Sequence, residues 1–199
     1  GTTTADGSGN WSYDHSGNTL ADGGYAITAA ATDASGNTSA TSSALNITVD
    51  TAAPSAPTVA AITDDTGTAS DGITSDNQLI ITGTAEANAS VEVFIDAGSI
   101  GTATADGSGN WSFDHTGTTL ADGSYAITAA ATDASGNTSS TSGALNITVD
   151  TAAPSVSSYS PANGETSVVF SSNLVMTFDD SVYVSTGNVV IRRYIDDSI

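Results

Sequence analysis

The chain has 199 residues, with 22 acidic side chains against two basic ones and a formal net charge of −20. This charge argues against binding to nucleic acid, and against an anionic membrane contacted through a basic patch, because both need clustered basic side chains. Cysteine and lysine are absent, so neither a disulfide nor a lysine crosslink stabilises the fold. No apolar run approaches the ~20 residues of a membrane-spanning helix. Cations are the partners that this composition favours.

Residues 1–55 recur almost unchanged at residues 101–155, with 48 identities over 55 aligned positions. A period of 100 residues predicts tandem modules of domain size. We predict the carboxy-terminal half of one module at 1–50, a complete module at 51–150, and the start of a different module at 151–199. Because the chain starts within this pattern, we expect it to be a window of a longer protein.

The segment ITVDTAAPS ends each copy of the repeat, at residues 47–55 and 147–155. Pro54 and Pro154 exclude an ordinary strand interior and restrict the residue before them. Two alanines leave little room for flexibility. The segment therefore predicts a short, proline-containing connector between modules.

The complete module contains short apolar-alternating runs separated by turn clusters such as DGSGN and DASGN, without helical periodicity. Seven strands in about 100 residues are typical of an immunoglobulin-like sandwich, so we predict an all-β fold. We assign Trp111 to its core. The predicted strands are Thr58–Ile62, Gln78–Thr84, Ser90–Asp96, Ile100–Ala105, Trp111–Asp114, Tyr125–Thr132 and Ala144–Val149.

Residues 155–199 do not closely repeat residues 55–99 and are richer in aromatic side chains. They predict strands at 173–178 and 188–194, in a β-sandwich of another subtype. Half a sandwich exposes its core face and its strand edges, so neither end segment should fold alone. Either sequence beyond this chain or neighbouring chains would supply the missing strands.

Chemistry for catalysis is almost absent. No cysteine or lysine is available as a nucleophile, and no serine or threonine lies in a nucleophile-elbow pattern. The acidic residues lie in repeated loops without a histidine or basic partner that would suit glycosidase chemistry. We expect a protein that is not an enzyme.

The loop ITDDTGTASDGITSDN holds four aspartates among glycines and small hydroxyl residues: Asp64, Asp65, Asp71 and Asp76. Calcium takes six to eight oxygen ligands on flexible turns, which this loop can supply. The alternative is a solvated acidic loop. We predict calcium.

A second oxygen-rich cluster follows from the predicted topology. The loops after the second and sixth strands of an immunoglobulin-like sandwich lie where the chain enters, which brings Glu86, Asn88, Asp133 and Asn137 towards Asp50. These carboxylates would repel one another unless a cation bridged them. We therefore predict a second calcium site, between modules. Asp33, which corresponds to Asp133, and Asp150, which corresponds to Asp50, are candidate ligands as well.

Several motifs occur in one order over a full period: VDTAAPSAP, the DDTG loop, ITGTAEANASVEVF, ADGSGNWSF, and LADGSYAITAAATDASGNTS. In these, residues 1 to about 154 resemble the bacterial Ig-like repeats of giant type I-secreted, RTX-type adhesins. That resemblance implies a secreted cell-surface extender stiffened by calcium. It gives ligand roles to Asp50, Glu86 and Asp133, and more loosely to the loop aspartates.

The motifs SPANGETSVVFSSNLVMTF and TGNVVI of residues 155–199 resemble the Ig-like domains of S-layer proteins. Here the resemblance implies Asn163 and Glu165 as partners for Asp150, although the pattern departs from that of the preceding junction.

Two other functions stay open. The chain would be a fibre or sheath subunit if its incomplete ends accepted strands from other copies. It would be an accessory module of a secreted polysaccharide-degrading enzyme if Trp111 bound sugar.

Overall fold

The computed structural model describes residues 1–166 and 173–180, which contain strands and turns. Among these residues no helix is long and apolar enough to cross a membrane. The chain divides into two compact units, Gly1–Asp150 and Thr151–Ile199. The strands of the described residues are β1 Gly23–Ile27, β2 Leu45–Val49, β3 Thr58–Ile62, β4 Ile73–Thr74, β5 Ile80–Thr84, β6 Ser90–Ile95, β7 Gly98–Thr104, β8 Asn110–Asp114, β9 Gly123–Thr132, β10 Leu145–Val149, β11 Val156–Ser160 and β12 Val175–Phe178.

Residues 51–150 form a sandwich of two sheets. The larger sheet has the strand order β4-β10-β9-β6-β7, and the smaller one has the order β3-β5-β8. Strand pairs are antiparallel except that β4 runs parallel to β10. The chain passes between the sheets after β3, β4, β5, β7 and β8, and the two sheets pack as in immunoglobulin-like sandwiches. The predicted fold class is confirmed, and all seven predicted strands are found with ends within two residues.

Alternating side chains of the two sheets fill the core. Val91 and Val93 of β6 and Ile127 and Ala129 of β9 are completely buried, and so is Ile81 of β5. The residues between them face outwards, because successive side chains of a strand point to opposite faces. The apolar residues that were predicted to alternate therefore do face one core.

Trp111 packs over Gly83, which lies opposite it in the β5–β8 pair. The indole is 3% exposed, which confirms that it belongs to the core. A Cβ atom on residue 83 would collide with the Thr58 carbonyl oxygen and lie 2.6 Å from Cζ2 of the indole. Glycine is therefore required beneath this tryptophan.

Side-chain hydroxyls satisfy backbone groups where the ladders end. The Tyr125 hydroxyl donates to the carbonyl four residues upstream at 2.9 Å, in the arrangement known as a tyrosine corner. After β9, the hydroxyls of Ser139 and Ser142 accept the amides of Ala131 and Ala129 at 2.9 and 3.0 Å. Together with main-chain bonds from Ser139 and Ser142 to the same two residues, these bonds hold residues 138–143 against β9.

The loops of the complete module gather at two poles. The connector pole holds residues 50–57, 85–89, 105–110 and 133–137, because β3, β6 and β8 begin there and β5, β7 and β9 end there. The distal pole holds the acidic loop at residues 63–78, next to the end of β10. The two predicted clusters of oxygen ligands thus lie at opposite ends of one module.

Residues 1–50 nearly repeat residues 101–150, but only β1 and β2 pair within them. Several of their large apolar side chains are exposed: Trp11 is 56% exposed and Leu45 64%. In the complete module, Trp111, which corresponds to Trp11, is 3% exposed, and Leu145, which corresponds to Leu45, is partly buried. The apolar side chains of residues 1–50 are thus less covered than their counterparts in residues 101–150.

In the second unit, β11 pairs with β12 in antiparallel fashion, with a bulge between Val156 and Ser158. The strand predicted at 173–178 is confirmed as β12, whereas the one predicted at 188–194 lies outside the described residues. Strands β4 and β11 were not predicted. β4 is only two residues long, and β11 is rich in serine, so neither has the apolar alternation that predicts a strand.

Candidate functional site

The sequence pattern Asp-Xaa-Ser-Gly-Asn forms the same turn at four places: Asp6–Asn10, Asp33–Asn37, Asp106–Asn110 and Asp133–Asn137. In each, Oδ1 of the aspartate accepts the amides two and four residues later, at 2.8 to 2.9 Å. The glycine has a positive φ between 83° and 92°, a conformation that glycine adopts without steric cost. Each turn is therefore fixed by its own sequence.

One of these turns binds the connector. The Asn137 side-chain amide donates to the Asp133 carboxylate at 2.9 Å and to the main-chain carbonyl of Asp50 at 3.1 Å. The Ser135 hydroxyl donates to the Asp50 carboxylate at 3.2 Å. The structure thus brings together Asp50, Asp133 and Asn137, as predicted, and adds Ser135, which was not predicted. The signal for it was the repeated serine at the middle of each turn.

The Asp50 and Asp133 carboxylates are both negative, and the only lysines or arginines in the chain are Arg192 and Arg193. Hydrogen bonds take the place of a basic partner. The Asn137 side chain, followed by the turn amides, lowers the pKa of Asp133 from its ordinary value of 3.8. The carboxylate therefore stays charged, with its oxygens directed at the turn.

Glu86 and Asn88 lie in the neighbouring loop at the connector pole. Glu86 is exposed. It lines a surface depression together with Ser55 and Ala56 of the connector and with Thr84 and Ala85, which precede it in the chain. Asn88 has a positive φ of 65°, and its main-chain amide donates to the main-chain carbonyl of Asp106. Glu86 thus lies beside the connector. Among the described residues, however, no three acidic or histidine side chains come close enough to form a metal cluster.

The four loop aspartates lie at the distal pole and mostly stabilise their own turns. Asp71 accepts the Ile73 amide at 2.9 Å, and Asp76 accepts the amide two residues later at 3.0 Å. The Asp64 carbonyl accepts the hydroxyl of Thr74, which is almost completely buried, at 2.7 Å. Thr74 is a buried polar centre of this loop that sequence reasoning missed.

Asp65 differs from these neighbours. Its Oδ2 accepts the Ser70 amide at 2.6 Å, while its Oδ1 is buried without a hydrogen-bond partner in the described structure. A buried carboxylate oxygen without a donor carries a large desolvation cost. This atom is therefore where the loop best fits a cation.

The remaining predicted residues lie apart from these groups. Asp33 is exposed in its own turn. Asp150 directly follows β10, and its main-chain amide donates to the Thr74 carbonyl at 2.9 Å. Asn163 and Glu165 belong to the second unit, where the Glu165 carboxylate accepts the Ala162 amide at 3.1 Å.

The hypothesis that Trp111 binds sugar does not fit the structure, since its ring is buried against Gly83. A sugar-binding tryptophan has to present a ring face for stacking. Trp111 therefore has a structural role.

No curated protein sequence matches the chain. A solved structure of Clostridium thermocellum CbhA fibronectin(III)-like modules aligns with 66% of this chain and 64% of its own, at 22% identity and a TM-score of 0.38. A tetra-tandem repeat in the extending region of a large adhesion protein aligns with 77% of this chain and 43% of its own, at 26% identity and a TM-score of 0.40. The chain thus spans less than two thirds of either structure.

A family model described as bacterial Ig-like domain matches residues 1–51 and 53–151, which is most of the chain. Its two matched segments meet at the connector, next to Asp50. The chain belongs to the bacterial Ig-like domain family.

Proposed function

We propose that this chain is an extender segment of a secreted bacterial surface adhesin, in which tandem sandwiches separate an adhesive region from the cell. One observation carries the proposal: the connector at Asp50 is bound directly by Ser135 and Asn137 of the module that follows it. A connector held in this way transmits force and orientation from one module to the next. Neither role needs a catalytic group.

Calcium is the cofactor that we propose for this array. The donors at both poles are carboxylate, carbonyl and hydroxyl oxygens, which are the ligands that calcium takes. At the distal pole, Asp65 would hold the ion through its unpartnered Oδ1. At the connector pole, Asp50 and Asp133 would hold it with help from Glu86. A bound ion supplies positive charge that offsets carboxylate repulsion, while the protein side chains fix the connector.

Calcium binding to the full chain tests the cofactor proposal. In isothermal titration calorimetry, wild-type protein should bind calcium, and Asp65→Asn should lose the distal site because the amide lacks the charge. Asp6→Asn is the matched control, since Asp6 lies in an exposed turn of residues 1–50. Equal calcium binding by wild type and Asp65→Asn would exclude Asp65 as a ligand, and no binding by either would exclude calcium.

A fibre subunit is the second candidate, which the exposed apolar side chains of residues 1–50 favour. The donated strands would have to provide a glycine under Trp11, as Gly83 does under Trp111. Strand β12 reads VMTF and contains no glycine, so the donated segment would have to resemble residues 58–104, which in this chain already complete the module at residues 51–150. Light scattering at micromolar concentration separates the two functions, because an extender stays monomeric and a fibre subunit forms open-ended polymers.

A further inference from the structure

The contact at the connector pole is made by a turn whose shape does not depend on its partner. All four Asp-Xaa-Ser-Gly-Asn turns have the same internal hydrogen bonds. Two of them have the sequence DASGN and end at Asn37 and Asn137. Both of these amides donate to their own aspartate at 2.9 Å. Asn137 also donates to a main-chain carbonyl of the connector, that of Asp50, at 3.1 Å. The turn is thus preorganised for binding.

The bound groups match the turn chemically. Asp50 offers two acceptors, its main-chain carbonyl and its carboxylate, and the turn offers two donors, an amide and a hydroxyl. The Asp50 Oδ1 also accepts the Ala52 main-chain amide at 3.1 Å, and this bond orients the carboxylate within the connector. Bonds to a charged acceptor are stronger than those between neutral groups. The geometry needs no bridging atom between the two partners.

We propose that the Asp133–Asn137 turn is a docking surface for the aspartate that ends the preceding module, and that this contact forms without a metal ion. Its partner is a strand-ending aspartate followed by Thr-Ala-Ala-Pro. Asp133 is a positioning residue, because its carboxylate orients the Asn137 amide towards the connector. The inference rests on the proposed extender role, and assigns part of the stiffness of the joint to direct hydrogen bonds.

Side-chain amide exchange measured by NMR on the full chain in EGTA tests this contact. The Asn137 amide protons should exchange roughly tenfold more slowly than those of Asn37, because one additional hydrogen bond protects them. Asn37 is the matched control, since its turn has the same sequence and the same internal bond.

Two serine variants test the hydroxyl. Ser135→Ala should raise the exchange rate of the Ala52 amide several-fold, because the Asp50 carboxylate loses an anchor, whereas Ser35→Ala should leave that rate unchanged. Equal exchange of the Asn137 and Asn37 amides in EGTA would overturn the proposal, and so would an unchanged Ala52 rate in Ser135→Ala.

The same spectra separate this inference from the calcium proposal. Protection of Asn137 that appears only after calcium is added would overturn the metal-free contact and leave the calcium site intact. Protection in EGTA that calcium does not change would support the contact and count against calcium at this pole.

Discussion

At the scale of single residues, the fold depends on one pairing across the smaller sheet. Trp111 can be buried only because residue 83 has no side chain. The parity of the strand was enough to predict that Trp111 belongs to the core. The requirement for glycine was not predictable, because the sequence does not give the register that places residue 83 opposite residue 111.

Gly83→Ala should destabilise the complete module by about 3 kcal/mol or more, since overpacking a dense core forces side chains and backbone to move. Urea unfolding of the full chain, followed by circular dichroism, measures this loss. Gly117→Ala is the control, because a Cβ there would meet no atom within 4 Å. A cost of Gly83→Ala equal to that of Gly117→Ala would contradict the packing described for Trp111.

At the scale of elements, the Asp-Xaa-Ser-Gly-Asn turn was predicted from the sequence, but the hydrogen bonds that fix it were not. Its glycine and asparagine predicted a turn, and the structure adds that the aspartate carboxylate organises it. The role of Ser135 at the junction depends on a contact 85 positions apart in sequence, which no local pattern reveals.

These turns should weaken in acid. Amide hydrogen bonds lower the pKa values of Asp6, Asp33, Asp106 and Asp133 in the folded chain below the ordinary 3.8. A carboxyl group with a lowered folded pKa stabilises the fold fully above its unfolded pKa and loses that contribution as pH falls through the folded value. The free energy of unfolding should therefore be level above about pH 5 and fall below it.

Urea unfolding between pH 2 and pH 6 measures this dependence, and Asp106→Asn should reduce its slope because one of the aspartates with a lowered pKa is removed. Stability that rises on acidification would show that carboxylate repulsion outweighs the turn hydrogen bonds.

At the scale of the whole molecule, the repeat, the all-β class and the sandwich could be predicted because period, alternation and turn residues are local signals. The assembly of the acidic sites could not. Two predicted ligands, Asp71 and Asp76, accept hydrogen bonds from nearby main-chain amides. The buried Oδ1 of Asp65 emerges only from the packing around the loop.

We propose that calcium stiffens the connector between tandem sandwiches. Small-angle scattering of two consecutive copies of residues 51–150, which preserve the connector sequence ITVDTAAPS, measures this directly, with thermal unfolding on the same samples. With calcium instead of EGTA, the account predicts a longer, straighter envelope and a higher melting temperature, because a ligand that binds only the folded state stabilises it. An unchanged envelope and an unchanged melting temperature would contradict it.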